Sequence, residues 1–324
     1  MIITVTLNPA LDKTARVEIM QPNTLNRLSD VRVDAGGKGV NVSAMISALG
    51  GNSLATGFAG GGAGEELLSR IAGQGLAHDF VRIKSVTRTN LKVVDSKGAL
   101  TELNEPGPEI TAEEYSALEK KLLGFGTNGN TFVLSGSLPR GLKSDTYKKL
   151  CGLLRQNGAA VFLDADGPAL ELALNSDTSA LHGVGLPNFI KPNRYELLKL
   201  FSMEDQETSE KILARLCLQL LDKGVELVSL SLGAEGALFA RAEGIWRCPG
   251  LPIRVQSSVG AGDSMVAALV YGFEKGLGME ECFALAMAAS AGACTTEGTR
   301  PPSRNLVDEY LKQVSLQKIV YGNL

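Results

Sequence analysis

The segment Val255-Gln256-Ser257-Ser258-Val259-Gly260-Ala261-Gly262-Asp263-Ser264-Met265 joins an extended stretch to an apolar helix through two glycines and an aspartate. The first amides of a helix have no intrahelical acceptor and sit at the positive end of the macrodipole. Such a junction therefore attracts phosphate oxygens or developing negative charge. Gly260 and Gly262 let the backbone approach a ligand that a Cβ would keep away, and Ala261 between them adds an amide. Asp263, in or beside the first turn, is placed to accept a proton from a hydroxyl attacking a phosphoryl group held there. Such chemistry would be phosphoryl transfer by positioning and electrostatics, without a covalent intermediate. A carboxylate at a positive helix end is expected to have a low pKa, so it would take the proton late, as the bond to phosphorus forms. Asp263 as an ordinary N-terminal cap is the plainer reading of the same residues.

A second glycine cluster, Ala35-Gly36-Gly37-Lys38-Gly39-Val40-Asn41-Val42, also enters an apolar helix. It is not a Walker A loop, because Gly39 follows Lys38 where Ser or Thr is required, and neither cluster has the Rossmann glycine spacing. What remains is a flat platform with Lys38 and Asn41 as polar handles, suited to a hydroxylated ring; a tight turn before a helix is the alternative. Asp12 follows the first strand, where α/β proteins place ligand-contacting residues, and a carboxylate there can accept hydrogen bonds from sugar hydroxyls. Arg88 and Asn90 in Thr87-Arg88-Thr89-Asn90, and Arg27 in a loop, add cations and an amide; Arg favours bidentate phosphate contacts. Taken singly, each is an ordinary surface charge.

Ile190-Lys191-Pro192-Asn193-Arg194-Tyr195-Glu196 ends a strand and opens a helix. Asn193 and Glu196, three apart, share a helical face, where a carboxylate can organise water around Mg²⁺; a capping box explains the same spacing. Ser231-Leu232-Gly233-Ala234-Glu235-Gly236 reads as a strand-to-turn segment that can touch a nucleotide, or as a hairpin turn.

These residues need a scaffold, and the chain is long enough to supply one. It has 324 residues, 44% hydrophobic and 21% charged, enough for a large core. Thr131–Ser135, Ala160–Asp164, Phe189-Ile190-Lys191 and Leu227–Leu230 read as buried strands. Helical patterns at Glu113–Leu123, Asp145–Gln156 and Glu207–Lys223 lie between them, which predicts a mainly parallel sheet covered by helices. Ala-rich helices are expected over Ser264–Lys275 and Glu280–Thr296. Segments 13–19, 29–34, 90–95 and 99–104 alternate like strands exposed on one face, separated by helical stretches. They predict a small projecting sheet, a lid over a site, whose apolar residues need a partner to cover them; an edge extension of the main sheet is the alternative.

Composition also excludes. A net charge of −3 and a pI near 5.6 argue against nucleic-acid binding. No stretch is long and apolar enough to span a membrane, the amino terminus has no basic leader, and five scattered cysteines fit reduced thiols; a cytoplasmic location is expected. His78 and His182 stand in unrelated contexts, so neither a His-based triad nor a zinc cluster is indicated.

Taken in order, these motifs resemble the PfkB or ribokinase-like family of carbohydrate kinases. The resemblance runs from Thr6-Leu7-Asn8-Pro9-Ala10-Leu11-Asp12 to the Ala-rich carboxyl-terminal helices and is strongest at residues 36–41 and 259–264. It implies a single three-layer α/β domain over residues 1–324, with a lid sheet formed by segments at about 13–34 and 88–104. It also implies that Asp263 is the base, with Gly260, Ala261 and Gly262 forming the anion hole. Lys191, Asn193, Ser231, Leu232 and Gly233 would lie on the ATP side, and Glu196 would hold Mg²⁺ through water, with Asp164 a second candidate. Thr4–Thr14, Lys38, Thr87–Asn90, Asn104-Glu105-Pro106-Gly107 and Ser135-Gly136-Ser137-Leu138-Pro139 look most like the branch that phosphorylates a phosphorylated ketohexose. By that likeness Arg27, Lys38 and Arg88 meet the substrate phosphate. Asp12, Gly36, Gly37, Asn41, Asn90 and Ser137 hold the sugar. A homodimer through the lid sheet is implied, with Arg27 reaching the site either within its own chain or from a partner subunit. The expected reaction is transfer from ATP to the 6-hydroxyl of fructose 1-phosphate; tagatose 6-phosphate or fructose 6-phosphate at the 1-hydroxyl, and a catalytically silent sugar-phosphate sensor, are the alternatives.

Overall fold

The computed structural model describes residues 1–175, 185–204 and 208–319. Its main sheet has eleven strands. Eight of them are β1 (Ile2–Thr6), β4 (Ser53–Gly60), β5 (Ala77–His78), β6 (Val81–Ile83), β9 (Thr131–Ser135), β10 (Ala160–Asp164), β11 (Phe189–Ile190) and β12 (Leu227–Ser231). These pair in parallel, while β13 (Gly236–Arg241), β14 (Gly244–Pro249) and β15 (Gln317–Ile319) extend one edge antiparallel. The central strands are apolar runs because both of their faces are covered. On β9, Phe132 and Leu134 join one core while Val133 joins the other.

The first core is closed by α3 (Ala112–Gly124), α4 (Thr146–Gln156), α5 (Gly167–Leu174), α6 (Arg194–Leu200) and α7 (Glu210–Asp222). The second is closed by α1 (Lys38–Ala48), α8 (Ala261–Glu274), α9 (Met279–Cys294) and α10 (Arg304–Leu311). The helix α2 (Gly61–Gly73) packs its Leu67, Leu68 and Ile71 in a smaller cluster with Leu11 and Val40. This is the expected three-layer arrangement. Helix and strand bounds differ from the sequence expectations by a few residues. Glu207, where one helix was expected to begin, lies outside the described residues, as does His182.

The lid is a separate four-stranded sheet, ordered β3 (Ser29–Gly36), β2 (Ala10–Arg16), β7 (Arg88–Val94) and β8 (Leu100–Asn104). Its strands begin at Ala10 and run to Gly36, wider than 13–34, because both ends are anchored beside the main sheet. The expected helical separators hold only between β3 and β7, where α1 and α2 intervene. A loop joins β2 to β3, and β7 turns directly into β8. There Asp95 Oδ1 accepts from the amides of Lys97 and Ala99, and Gly98 takes a positive φ of 82°.

Candidate active site

The carboxyl ends of β1, β9, β10, β11 and β12 open into a cleft of about 880 Å³, roofed on one side by the lid. Ligands bind at this edge of open parallel sheets because the strand ends and following helix starts present free backbone groups there. Asp263 and the start of α8 form one part of the cleft. Asp12, Arg88, Asn90 and Asn104 enter from the lid.

Gly260 is the residue before the first turn of α8, with φ 83°, a left-handed conformation that glycine adopts without strain. Asp263 is therefore the third residue of the helix and makes no cap, which removes the plainer reading of this segment. The residue is only 7% exposed, and its Oδ2 accepts a 2.7 Å hydrogen bond from Asn41 Nδ2. Burial, then the nearby Asp164 carboxylate, push the Asp263 carboxyl up to about 6, while Asn41, Lys38 and Lys191 pull the other way. The low pKa expected at a positive helix end is not found: loss of water and a like charge outweigh the helix terminus.

Asp164, at the end of β10, is 2% exposed. Its Oδ1 lies 3.4 Å from both Lys38 Nζ and Lys191 Nζ. Burial works against the Asp164 anion, yet Lys191 and Lys38 hold its carboxyl below the ordinary value. Asp164 in turn raises the Lys38 ammonium well above its usual value. Asp164 Oδ2 is buried without a partner. A Cβ on Gly262 would stand 3.0 Å from Lys191 Nζ, so this ammonium abuts the helix start. Two cations and the first amides of α8 thus converge beside a weak carboxylic acid, an arrangement that can stabilise a phosphoryl group while a neighbouring hydroxyl loses its proton.

At the lid, Asp12 accepts from Asn90 Nδ2 at 2.9 Å and from Lys92 Nζ at 3.0 Å. A Cβ on Gly36 would come within 2.6 Å of the Asp12 carboxyl carbon. The Arg88 guanidinium donates to the carbonyls of Glu105 at 3.0 Å and Asn8 at 3.1 Å, and its buried Nε has no partner. Burial lowers the Arg88 pKa, opposed by Asp12 and Glu105. Ser137 Oγ accepts from Asn8 Nδ2 at 3.2 Å.

Asn193 and Glu196 form the capping box of α6, with reciprocal 2.8 Å bonds, and both also line the cleft. Ser231 bridges to Asn193 across the sheet, and the turn Gly233–Glu235 leads into β13 as a hairpin that borders the cleft.

The expected residues are thus brought together with a few exceptions. Leu232 is buried, and Gly36 stands behind Asp12. Arg27 is exposed in the β2–β3 loop and does not line the cleft of its own chain. Lys38 faces Asp164, and Asn41 is turned on Asp263. Asp166, Asn8 and Thr299 also line the cleft. Lys92 was not singled out, although its place two residues beyond Asn90 on an alternating strand puts both on one face.

No group of three or more His, Cys, Asp or Glu among the described residues is arranged to hold a metal, so an all-protein cage is not built here. The oxygen donors Asp164, Asp166 and Glu196, with the unpartnered Asp164 Oδ2, fit a hydrated Mg²⁺ that takes most of its ligands from water and phosphate. No helix among the described residues is long and apolar enough to cross a membrane. All five cysteines are free; Cys294, the one that is not fully buried, borders the cleft.

A ribokinase-like fold with a glycine-flanked carboxyl facing a lid defines a sugar-phosphorylating enzyme. Residues 5–306 match the pfkB family carbohydrate kinase, and the chain belongs to that family. A 1-phosphofructokinase from Borreliella burgdorferi is 34% identical over 89% of this chain and 90% of its own length. Four other 1-phosphofructokinases are 32–37% identical. Among solved structures, phosphofructokinase-2 from Escherichia coli in complex with potassium superposes with a TM-score of 0.89 at 31% identity, covering 96% of this chain and 98% of that one. Ribokinase from Thermotoga maritima shares the fold, with a TM-score of 0.74 at 18% identity, covering 96% and 99%.

Proposed function

We propose that this carbohydrate kinase transfers the γ-phosphoryl group of ATP to the 6-hydroxyl of fructose 1-phosphate, giving fructose 1,6-bisphosphate and ADP. The observation that carries this reading is the two-ended cleft. One end holds a buried proton acceptor beside a helix start. The other holds Arg88 with an unpartnered Nε next to Asp12 and Asn90, a pairing suited to a phosphate and sugar hydroxyls on one small molecule. The 1-phosphofructokinases among the relatives support the same substrate.

In this reading Asp12, Asn90 and Ser137, with Gly37, hold the sugar, and Arg88 holds its phosphate. The bond from O6 to phosphorus forms as the bond from phosphorus to the β-phosphate oxygen breaks, and the hydroxyl proton passes to Asp263. The amides around Gly260, Ala261 and Gly262, with Lys38 and Lys191, stabilise the equatorial oxygens in flight. Ser231, Gly233 and the Asn193 segment border the nucleotide. Asp164, Asp166 and Glu196 would hold hydrated Mg²⁺, which when bound screens the charge of the triphosphate. The 324 residues act as one kinase domain. Lid sheets pair between two protomers, and each supplies Arg27 to its partner's cleft. Phosphorus NMR of the protein with ATP, Mg²⁺ and fructose 1-phosphate tests the reading. One ADP is expected for each new phosphate ester at C6. Tight binding of the phosphosugar without ADP release would instead describe a sensor.

A further inference from the structure

Asp12 is the carboxylate that the lid strands bring to the cleft, and in the folded chain it stands between two cations. In the parallel pairing of β2 with β7, Asp12 lies opposite Asn90, Ala10 opposite Arg88 and Thr14 opposite Lys92. Arg88 and Lys92 therefore share a face of β7 with Asn90, each about 7 Å from it along the strand. A carboxylate in that place has two candidate partners, and the choice decides what Arg88 can do. If Asp12 turned to Arg88, the guanidinium would be neutralised before substrate arrived. Instead Asp12 gives Oδ2 to Lys92 at 3.0 Å and Oδ1 to Asn90 at 2.9 Å. Arg88 forms no ion pair among the described residues and donates only to two backbone carbonyls. The Lys92 side chain is 12% exposed and that of Asp12 10%, so the pair is shielded from solvent and little screened by salt.

We infer that Lys92 is a positioning residue for the phosphosugar: it holds Asp12 oriented toward the sugar hydroxyls and thereby leaves Arg88 available to the substrate phosphate. This rests on the assignment of Asp12 to the sugar and Arg88 to the phosphate made above. Lys92 offsets the charge of Asp12, so among the lid residues that line the cleft the charge left without an ion-pair partner is that of Arg88. Removing Lys92 returns the Asp12 anion to the neighbourhood of Arg88, which costs both contacts at once.

Steady-state kinetics of Lys92→Met, Lys92→Arg, Asp12→Asn and the double variant Asp12→Asn/Lys92→Met test the inference, with thermal unfolding of each recorded alongside. Lys92→Met is expected to raise the KM for fructose 1-phosphate about tenfold or more, the loss of one charge-assisted contact. Its kcat should stay within about threefold and its KM for ATP should not move, because the lost interaction is in substrate binding. Lys92→Arg should recover most of the loss. In the Asp12→Asn background the same Lys92 change should add less than about twofold, because Lys92 acts through Asp12. If Lys92→Met does not fold, Lys92→Gln, which keeps length and drops charge, carries the same expectation. An unchanged phosphosugar KM, a full loss repeated in the Asp12→Asn background, or equal losses in both KM values would overturn the role of Lys92. A parent enzyme that prefers unphosphorylated fructose would instead overturn the underlying site assignment.

Discussion

At the scale of single residues, the proposed chemistry turns on a carboxyl that the fold has weakened as an acid. A proton acceptor has to be ionised, and Asp263 sits at about 6, so kcat/KM is expected to fall as pH drops through that value. A pH–rate profile flat down to pH 5 would remove Asp263 from the role. Asp263→Asn should lower kcat by roughly 10²–10⁴. The same substitution has a stability consequence of opposite sign. An unfolded aspartate titrates near 4, below the folded value, so the buried anion costs about 3 kcal/mol above pH 6, and the cost fades as pH falls towards 4. Asp263→Asn should therefore unfold at a higher temperature than the parent at pH 8 and at nearly the same temperature near pH 4. Calorimetry at the two pH values reads the difference directly. The types and spacing of these residues were legible in the sequence; the raised pKa was not. It comes from burial and from Asp164 on β10, against the opposing pull of Asn41 and Lys38 from α1, and these groups reach Asp263 only through the packing of α1 against α8 and the order of strands in the sheet.

At the scale of elements, the glycines divide into those that free a backbone and those that make room. Gly260 needs its left-handed φ to start α8, whereas Gly36 is needed because the Asp12 carboxyl occupies the place of a Cβ. Gly36→Ala should displace Asp12, raising the phosphosugar KM by roughly ten- to a hundredfold while the KM for ATP holds, since a misplaced contact of this kind can cost about that much. Loss of ATP affinity alone would contradict this division of the cleft. The strands Thr131–Ser135 and Ala160–Asp164 coincide with their apolar runs because parallel strands covered on both faces are apolar throughout. The lid was legible from its alternation, but its connections were not, because β7 and β8 close on a tight Asp95 turn where helix was expected. Lys92 looks like any solvated charge on such a strand. Its partner comes from β2, 80 residues away in sequence, across a parallel pairing that has no local signature.

At the scale of the whole molecule, the lid leaves Leu28, Val31, Leu100 and Leu103 between 40% and 52% exposed. An apolar surface of this kind on a projecting sheet needs cover, and a second lid offers it. Sedimentation is expected to give a dimer at micromolar concentration, and Leu100→Glu with Leu103→Glu should shift it to monomer and raise the phosphosugar KM by removing the partner's Arg27. A fully active monomeric parent would leave Arg27 without a role. The central claim is that one cleft recognises a phosphate on the lid side and phosphorylates a hydroxyl beside Asp263. Initial rates with fructose 1-phosphate, tagatose 6-phosphate, fructose 6-phosphate and unphosphorylated fructose, each at saturating ATP and Mg²⁺, test it most directly. The account predicts the highest kcat/KM for fructose 1-phosphate and the lowest for unphosphorylated fructose; a preference for unphosphorylated fructose would contradict it.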